Sequence, residues 1–206
     1  MNIEIKKTVK PIEYTKAIKY LENRVVEVNN NKSKELIWFL EHPSVYTAGS
    51  SYNKSEILDS SINLIKTKRG GKITWHGPGQ LVCYFVLNLN NRKRDIRKFI
   101  SIIENSIIKT LKEYEIESQS DRENIGIWVN SKNKIKKIAA IGIRIKRWIA
   151  YHGFSINIDN DLNNYNKIIP CGIKDKEVTN LRSIKNQNYN NLSDKLLNNL
   201  INNLKI

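Results

Sequence analysis

Three observations predict an α+β domain with a mixed, largely antiparallel sheet packed with helices. Short apolar, β-prone runs recur through residues 36–89, three strand-like runs follow one another between residues 125 and 158, and helical periodicity is confined to three amphipathic segments. No linker-like stretch or internal repeat interrupts residues 1–206, so one domain is expected.

Tyr14, Ala17, Ile18, Leu21 and Val25 recur at helical spacing after Pro11, which suits a helix start. Leu36 to Leu40 is a continuous apolar run ending at Glu41-His42-Pro43, expected as a buried strand that Val45-Tyr46-Thr47 continues. Ile62 to Thr67, Ile73 to Trp75 and Leu81 to Leu89 are strand-compatible. Asp95 is placed to cap a long helix whose buried face is Ile96, Phe99, Ile100, Ile103, Ile107 and Leu111. Ile125 to Val129 and Ile135 to Ile145 flank a hairpin loop at residues 130–134, and Ile149 to Ile158 completes a meander. After an asparagine-rich loop from Lys185 to Asn191, Leu192, Leu196, Leu197, Leu200, Ile201 and Leu204 mark a last helix, with Ser193 as its cap.

Composition narrows the function. Apolar residues make up 40% of the chain, no run approaches the length of a membrane span, and Met1 to Lys6 lacks a signal-peptide core, so a cytoplasmic protein with no membrane partner is expected. Two cysteines far apart suggest reduced thiols, and the scattered His42, His76 and His152 lack metal-ligand spacing. A net charge of +15 invites a nucleic-acid-binding module. The lysines are dispersed, however, with no recognition helix or aromatic signature beside them, and an acidic protein partner fits the same field.

Chemistry concentrates elsewhere. Between Arg69 and Gln80, four glycines, a proline, a histidine and an arginine crowd into twelve residues, more than a hairpin turn requires and consistent with a binding loop. Cys171, flanked by Pro170 and Gly172, reads either as a small buried hydrophobe or as an exposed loop nucleophile. Cys83 sits within Leu81 to Val86 and reads as structural. Lys137 precedes Ile138-Ala139-Ala140-Ile141-Gly142, whose small residues let a ligand or a second backbone come close.

Four motifs then carry a resemblance: the Arg69–Gln80 stretch followed by Leu81-Val82-Cys83-Tyr84; the run from Lys137 to Gly142; Tyr151-His152-Gly153-Phe154-Ser155-Ile156-Asn157; and Pro170-Cys171-Gly172-Ile173 with Val178-Thr179-Asn180-Leu181. Together with Glu41-His42-Pro43 and Tyr46-Thr47, and in this order across about residues 35 to 182, they resemble the octanoyltransferase family. Any one motif is unspecific; four in order are not. Asn180 stands where the family usually has serine, and Ala139-Ala140 occupies a pair of variable size; neither departure removes a chemical group the reaction needs.

The resemblance implies a lipoate/biotin protein ligase-like fold. It also implies transfer of an octanoyl group from acyl carrier protein to a lysine ε-amine on lipoyl domains of 2-oxoacid dehydrogenases or glycine-cleavage H protein, by a monomer with no cofactor. Carried over residue by residue, Cys171 is the nucleophile and Lys137 its partner, while Arg69, Gly70, Gly71, Lys72, Ile73, Thr74, Trp75, His76, Ala140, Ile141, Gly142, Gly153, Phe154 and Ser155 fall on acyl-substrate-binding positions. Gly77 is expected beside them in the wall; His76 and His152 are not assigned to catalysis. A thiol of ordinary pKa, about 8.5, is a few per cent thiolate at neutral pH, and a neighbouring ammonium raises that fraction. The alternatives are an ATP-dependent lipoate or biotin ligase, which requires no nucleophilic cysteine, and the basic nucleic-acid-binding module.

Overall fold

The computed structural model describes residues 2–172 and 177–204, apart from the side chain of Cys171. In chain order the elements are β1 (Ile3–Lys7), α1 (Tyr14–Asn29), β2 (Glu35–Leu40), β3 (Val45–Ala48), β4 (Leu64–Lys66), β5 (Ile73–His76), β6 (Gln80–Asn88), α2 (Ile96–Lys112), β7 (Gln119–Ser120), β8 (Ile127–Ser131), β9 (Lys134–Lys146), β10 (Ile149–Asn157), α3 (Leu181–Ile184) and α4 (Leu192–Leu204). A seven-stranded sheet runs β1-β2-β6-β10-β9-β8-β7, and a three-stranded sheet runs β4-β3-β5. Among the described strands only β1–β2 and β3–β4 pair in parallel; the mixed, largely antiparallel sheet packed with helices is as expected.

The continuous apolar runs of β2 and β6 follow from helices on both faces of the large sheet. One parity of side chains, Leu36, Trp38 and Leu40 with Val82, Tyr84 and Val86, packs on Ala17, Leu21, Val25 and Val28 of α1. The other parity, Ile37 and Phe39 with Cys83, Phe85 and Leu87, packs on Phe99, Ile103, Ile107 and Leu111 of α2 and on the leucines of α4. Asp95 caps α2, its carboxylate accepting from the Lys98 N–H. Ile96 departs from the expected buried face and is 41% exposed.

The meander closes with two-residue turns at Lys132-Asn133 (φ 51° and 61°) and Arg147-Trp148 (φ 51° and 62°), the primed geometry that matches strand twist. Two expectations need correcting. Val45–Ala48 does not continue β2; after His42-Pro43 it joins the second sheet, against β4 and β5. Ser193 lies within the first turn of α4, which begins at Leu192, so it is not the cap.

Candidate active site

The glycine-rich stretch is a loop, a strand and a turn in succession. Residues 69–72 are stapled to residues 49–51 by three backbone hydrogen bonds, from Gly49 N–H to the Lys72 carbonyl, Ser50 N–H to that of Arg69 and Ser51 N–H to that of Gly71. Gly71 has φ +82°, and a Cβ on Gly70 would stand 2.6 Å from the Ile143 carbonyl oxygen, so glycine is required at both positions. Arg69 is 8% exposed; its guanidinium donates to the Thr47 carbonyl at 2.8 Å, the Thr47 hydroxyl at 2.9 Å and the Gly70 carbonyl at 3.0 Å.

This loop and β5 face β9 and β10 across a cavity of about 540 Å³. It brings together Arg69 to Thr74, His76, Lys137, Ala140 to Ile143, His152 to Ser155 and Gly172, residues up to about a hundred positions apart in sequence. Trp75 is not part of this lining. Strand alternation sends Trp75 into a separate cluster with Tyr46, Tyr165 and Ile168, which Ile73, at the start of β5, borders as well as the cavity, and the indole N–H donates to Ser44 at 2.9 Å. Gly77 packs against that indole, where a Cβ would stand 2.1 Å from the ring. The wall also includes residues not among the expected substrate-binding positions: Ser51, then Val82 and Tyr84 from β6, Ile100 from α2, and Glu123 to Ile125.

A β-bulge sets Lys137. Ile127 pairs with Ala139 but Trp128 with Lys137, so Ile138 is an extra residue on β9 and turns its neighbour. Beyond the end of β10, residues 177–179 take its place: Lys137 N–H donates to the Glu177 carbonyl at 2.8 Å, and Thr179 N–H to the Lys137 carbonyl at 2.9 Å. Lys137 is 6% exposed. Its Nζ donates to the Ile125 carbonyl at 3.2 Å and lies 4.7 Å from the Trp128 ring centroid. Among the described residues it makes no ion pair. Hydrogen bonds from Lys134 and Lys136 hold the Glu177 carboxyl at about 2, clamping this segment to the start of β9.

The backbone of Cys171 lies in a 3₁₀ turn, Pro170–Gly172, which the Ile169 N–H ties to the Glu56 carbonyl at 2.8 Å. The Cys171 side chain and Ile173 are outside the described residues. Gly172 lines the cavity, and Pro170 shares a small void with Lys137, Ala139, Ala140, Ser155 and Val178, so the turn stands beside Lys137. Cys83, by contrast, is fully buried, and burial pushes its thiol far up, as its structural reading requires.

The inner wall is polar but uncharged at the histidines. His76 Nδ1 donates to Gln80 at 2.6 Å, and Gln80 in turn donates to Asn157 at 2.8 Å and Tyr165 at 2.9 Å. Burial, with His42 and Arg69 nearby, lowers His76 to about 3. His42, whose imidazole bonds the Ile12 carbonyl at 2.5 Å and the Tyr84 hydroxyl at 2.8 Å, is also lowered by burial. Among the described residues no group of three potential metal ligands occurs, and no helix is long and apolar enough to cross a membrane.

A cavity walled by a glycine loop and two central strands, with a lysine at one end, fits an acyl-group-handling domain, and known proteins agree. The chain belongs to the family described as lipoyl protein ligase A/B catalytic domain, whose model matches residues 13–200. Within it, the chain is similar to proteins named octanoyltransferase: 45% identity over 186 residues with that of Anaplasma phagocytophilum, covering 89% of each chain, and 44% over 175 residues with that of Ehrlichia chaffeensis, covering 84% of this chain and 82% of the relative. Among solved structures, a bi-partite lipoate protein ligase from Thermoplasma acidophilum, studied with its E2 lipoyl domain, superposes with a TM-score of 0.77 at 14% identity, covering all of this chain and 85% of that one. That likeness carries the fold alone.

Proposed function

We propose that this chain is an octanoyltransferase that takes the acyl group from the thioester of acyl carrier protein onto Cys171 and passes it to a lysine ε-amine of a lipoyl domain or glycine-cleavage H protein. The carrying observation is Lys137: a buried ammonium with no counter-charge among the described residues, held beside the turn that bears Cys171. A thiolate at Cys171 supplies that counter-charge, and the pairing raises the fraction of nucleophile.

In the first step the thiolate attacks the carrier's thioester carbon. The bond to the carrier sulfur breaks, and that sulfur takes a proton from the Lys137 ammonium and leaves as a thiol. In the second step the acceptor amine attacks the Cys171 thioester. Lys137, left neutral by the first step, takes the amine's proton, and Cys171 leaves as thiolate, which restores the ion pair. Thioester exchange preserves the activated acyl bond, so the reaction needs no nucleotide.

Each tetrahedral intermediate carries an oxyanion. Ile143 offers its carbonyl to Gly70 N–H across the outer edge of β9, beyond the end of β8. In an antiparallel ladder alternate residues point their N–H and C=O groups to the same side, so Ile141 presents its N–H to that edge while Ala140 and Gly142 bond β10. Ile141 N–H is therefore the oxyanion donor this reading favours over its neighbours.

A carrier-protein assay tests the proposal: octanoyl carrier protein and an unlipoylated lipoyl domain, mixed without ATP, give an octanoylated acceptor with this protein and none with Cys171→Ala. ATP-dependent transfer of free octanoate, unaffected by Cys171→Ala, would instead establish a ligase.

A further inference from the structure

His152 occupies a backbone conformation its sequence neighbours do not explain. It lies in the middle of β10, paired with Ile143 on one side and Phe85 on the other, yet its φ is +66°, a region where a β-carbon is strained. The departure breaks strand alternation. The imidazole stacks on the ring of the adjacent Tyr151, at 4.7 Å and 24°, where successive side chains should take opposite faces. The ring is thereby turned into the cavity wall, 1% exposed, and neither nitrogen has a hydrogen-bond partner among the described residues. No hydrogen bond from the described residues recruits it there. Burial, and then Arg69 and Arg144, hold it at about 3, so it is neutral at physiological pH and can face an apolar chain without burying a charge.

Its position along the cavity has a scale. Pro170, next to Cys171, touches the void formed by Ala140 and Ser155, which pair with each other. The Ile143–His152 pair is three residues further along the same two strands. Three residues span about 10 Å. Seven carbon–carbon bonds of about 1.5 Å in an extended eight-carbon acyl chain span about 9 Å. Ile143 and His152 are the last residues of β9 and β10 to line the cavity in this direction, and Gly70 N–H bonds the Ile143 carbonyl there at 3.2 Å.

We propose that His152 is a specificity-determining residue, an end-stop whose strained backbone places its ring against the terminal methyl of an eight-carbon acyl chain. This rests on the reading of the cavity as the acyl site. Two further methylenes must push the ring aside or strip past it, and each is discriminated about tenfold in a closed pocket.

The test compares the protein with His152→Gly, which adopts the observed φ without strain, and His152→Asn, whose smaller side chain also tolerates positive φ. Carrier protein charged with hexanoyl, octanoyl, decanoyl or dodecanoyl groups is used for each. The decanoyl-to-octanoyl ratio of kcat/KM is expected to rise about tenfold or more in His152→Gly, and by a smaller factor in His152→Asn. Unchanged ratios in both variants, with normal thermal melts, would overturn the end-stop. Should the unaltered protein transfer no acyl group of any length, the transfer reading fails instead. The end-stop is then decided by binding of free octanoate, decanoate and dodecanoate to the protein and to His152→Gly, where an unchanged length preference counts against it.

Discussion

Replacing Lys137 by methionine removes the ammonium while nearly preserving the side chain's length, and it should leave stability almost unchanged while sharply reducing activity. The substitution loses one hydrogen bond, to the Ile125 carbonyl at 3.2 Å, and the contact with the Trp128 ring at 4.7 Å. Those losses amount to about 1–3 kcal/mol. Against them stands relief from holding a 6% exposed charge without a counter-ion, an offset of similar size. Stability should therefore change by no more than about 1 kcal/mol, or about 2–4 °C in Tm for a chain of this length. The chemistry should suffer far more. If the ammonium lowers the Cys171 thiol by about 1–2 units from about 8.5, removing it cuts the thiolate at pH 7 from about a quarter or more to about 3%, slowing acylation about tenfold or more. Loss of the base for the acceptor amine adds about 10²–10⁴ in the transfer step. Stopped-flow acylation and steady-state transfer across pH 6–9 separate the two steps, with acylation by the variant still rising through pH 8.5 where the unaltered protein has levelled off. Overlapping pH profiles with transfer within threefold of normal would refute the thiolate–ammonium pairing.

Three other outcomes are expected. Gly70→Ala drives a Cβ to 2.6 Å from the Ile143 carbonyl, a backbone atom that cannot yield without moving β9, so a loss of about 1–3 kcal/mol in urea unfolding should accompany a raised KM; a variant as stable as its parent would show the loop is not pressed onto β9. His76 and His152 stay neutral in the fold down to about 3, whereas the unfolded chain protonates them near 6.5, so stability is intact above pH 6.5 and falls as pH drops toward 3, by about 2 kcal/mol for each between pH 6.5 and 5. Equal urea midpoints at pH 7 and pH 5 would contradict this. The net charge of +15 should steer an acidic carrier protein, so its association rate should drop at least several-fold between 50 and 300 mM salt; a rate indifferent to salt would leave the field without that role.

What could be read from the sequence is what local patterning encodes. The runs of β2 and β6 were visible because helices cover both faces, and α2 because its cap and apolar stripe are both local signals. Strand β1 is weakly marked: at a sheet edge its Ile3 is half-buried and its Ile5 exposed among interleaved charges, and its parallel pairing with β2 is a non-local choice. The second sheet was missed for a similar reason, since nothing near Val45 states which strands it will join.

The motif residues converge on one cavity even though most are distant in sequence, and Trp75 is the instructive exception. Period-two alternation along β5 turns Trp75 away from the face that carries Thr74 and His76, while Ile73 at the strand's start borders both the cavity and the second cluster, so a contiguous motif divides between two faces. Other features had no local signal. The bulge at Ile138 depends on the register with β8, and the positive φ of His152 is imposed on a residue that does not favour it. Ile100 reads as one more position on an amphipathic helix, yet it reaches the cavity wall.

The claim on which the rest depends is a covalent acyl-enzyme at Cys171 formed without nucleotide. Intact-protein mass spectrometry after mixing with octanoyl carrier protein tests it most directly. One octanoyl adduct is expected, mapped by peptide fragmentation to Cys171, absent from Cys171→Ala and discharged on addition of an unlipoylated lipoyl domain. No adduct at all, an adduct on another residue, or an adduct that the acceptor does not discharge would contradict it.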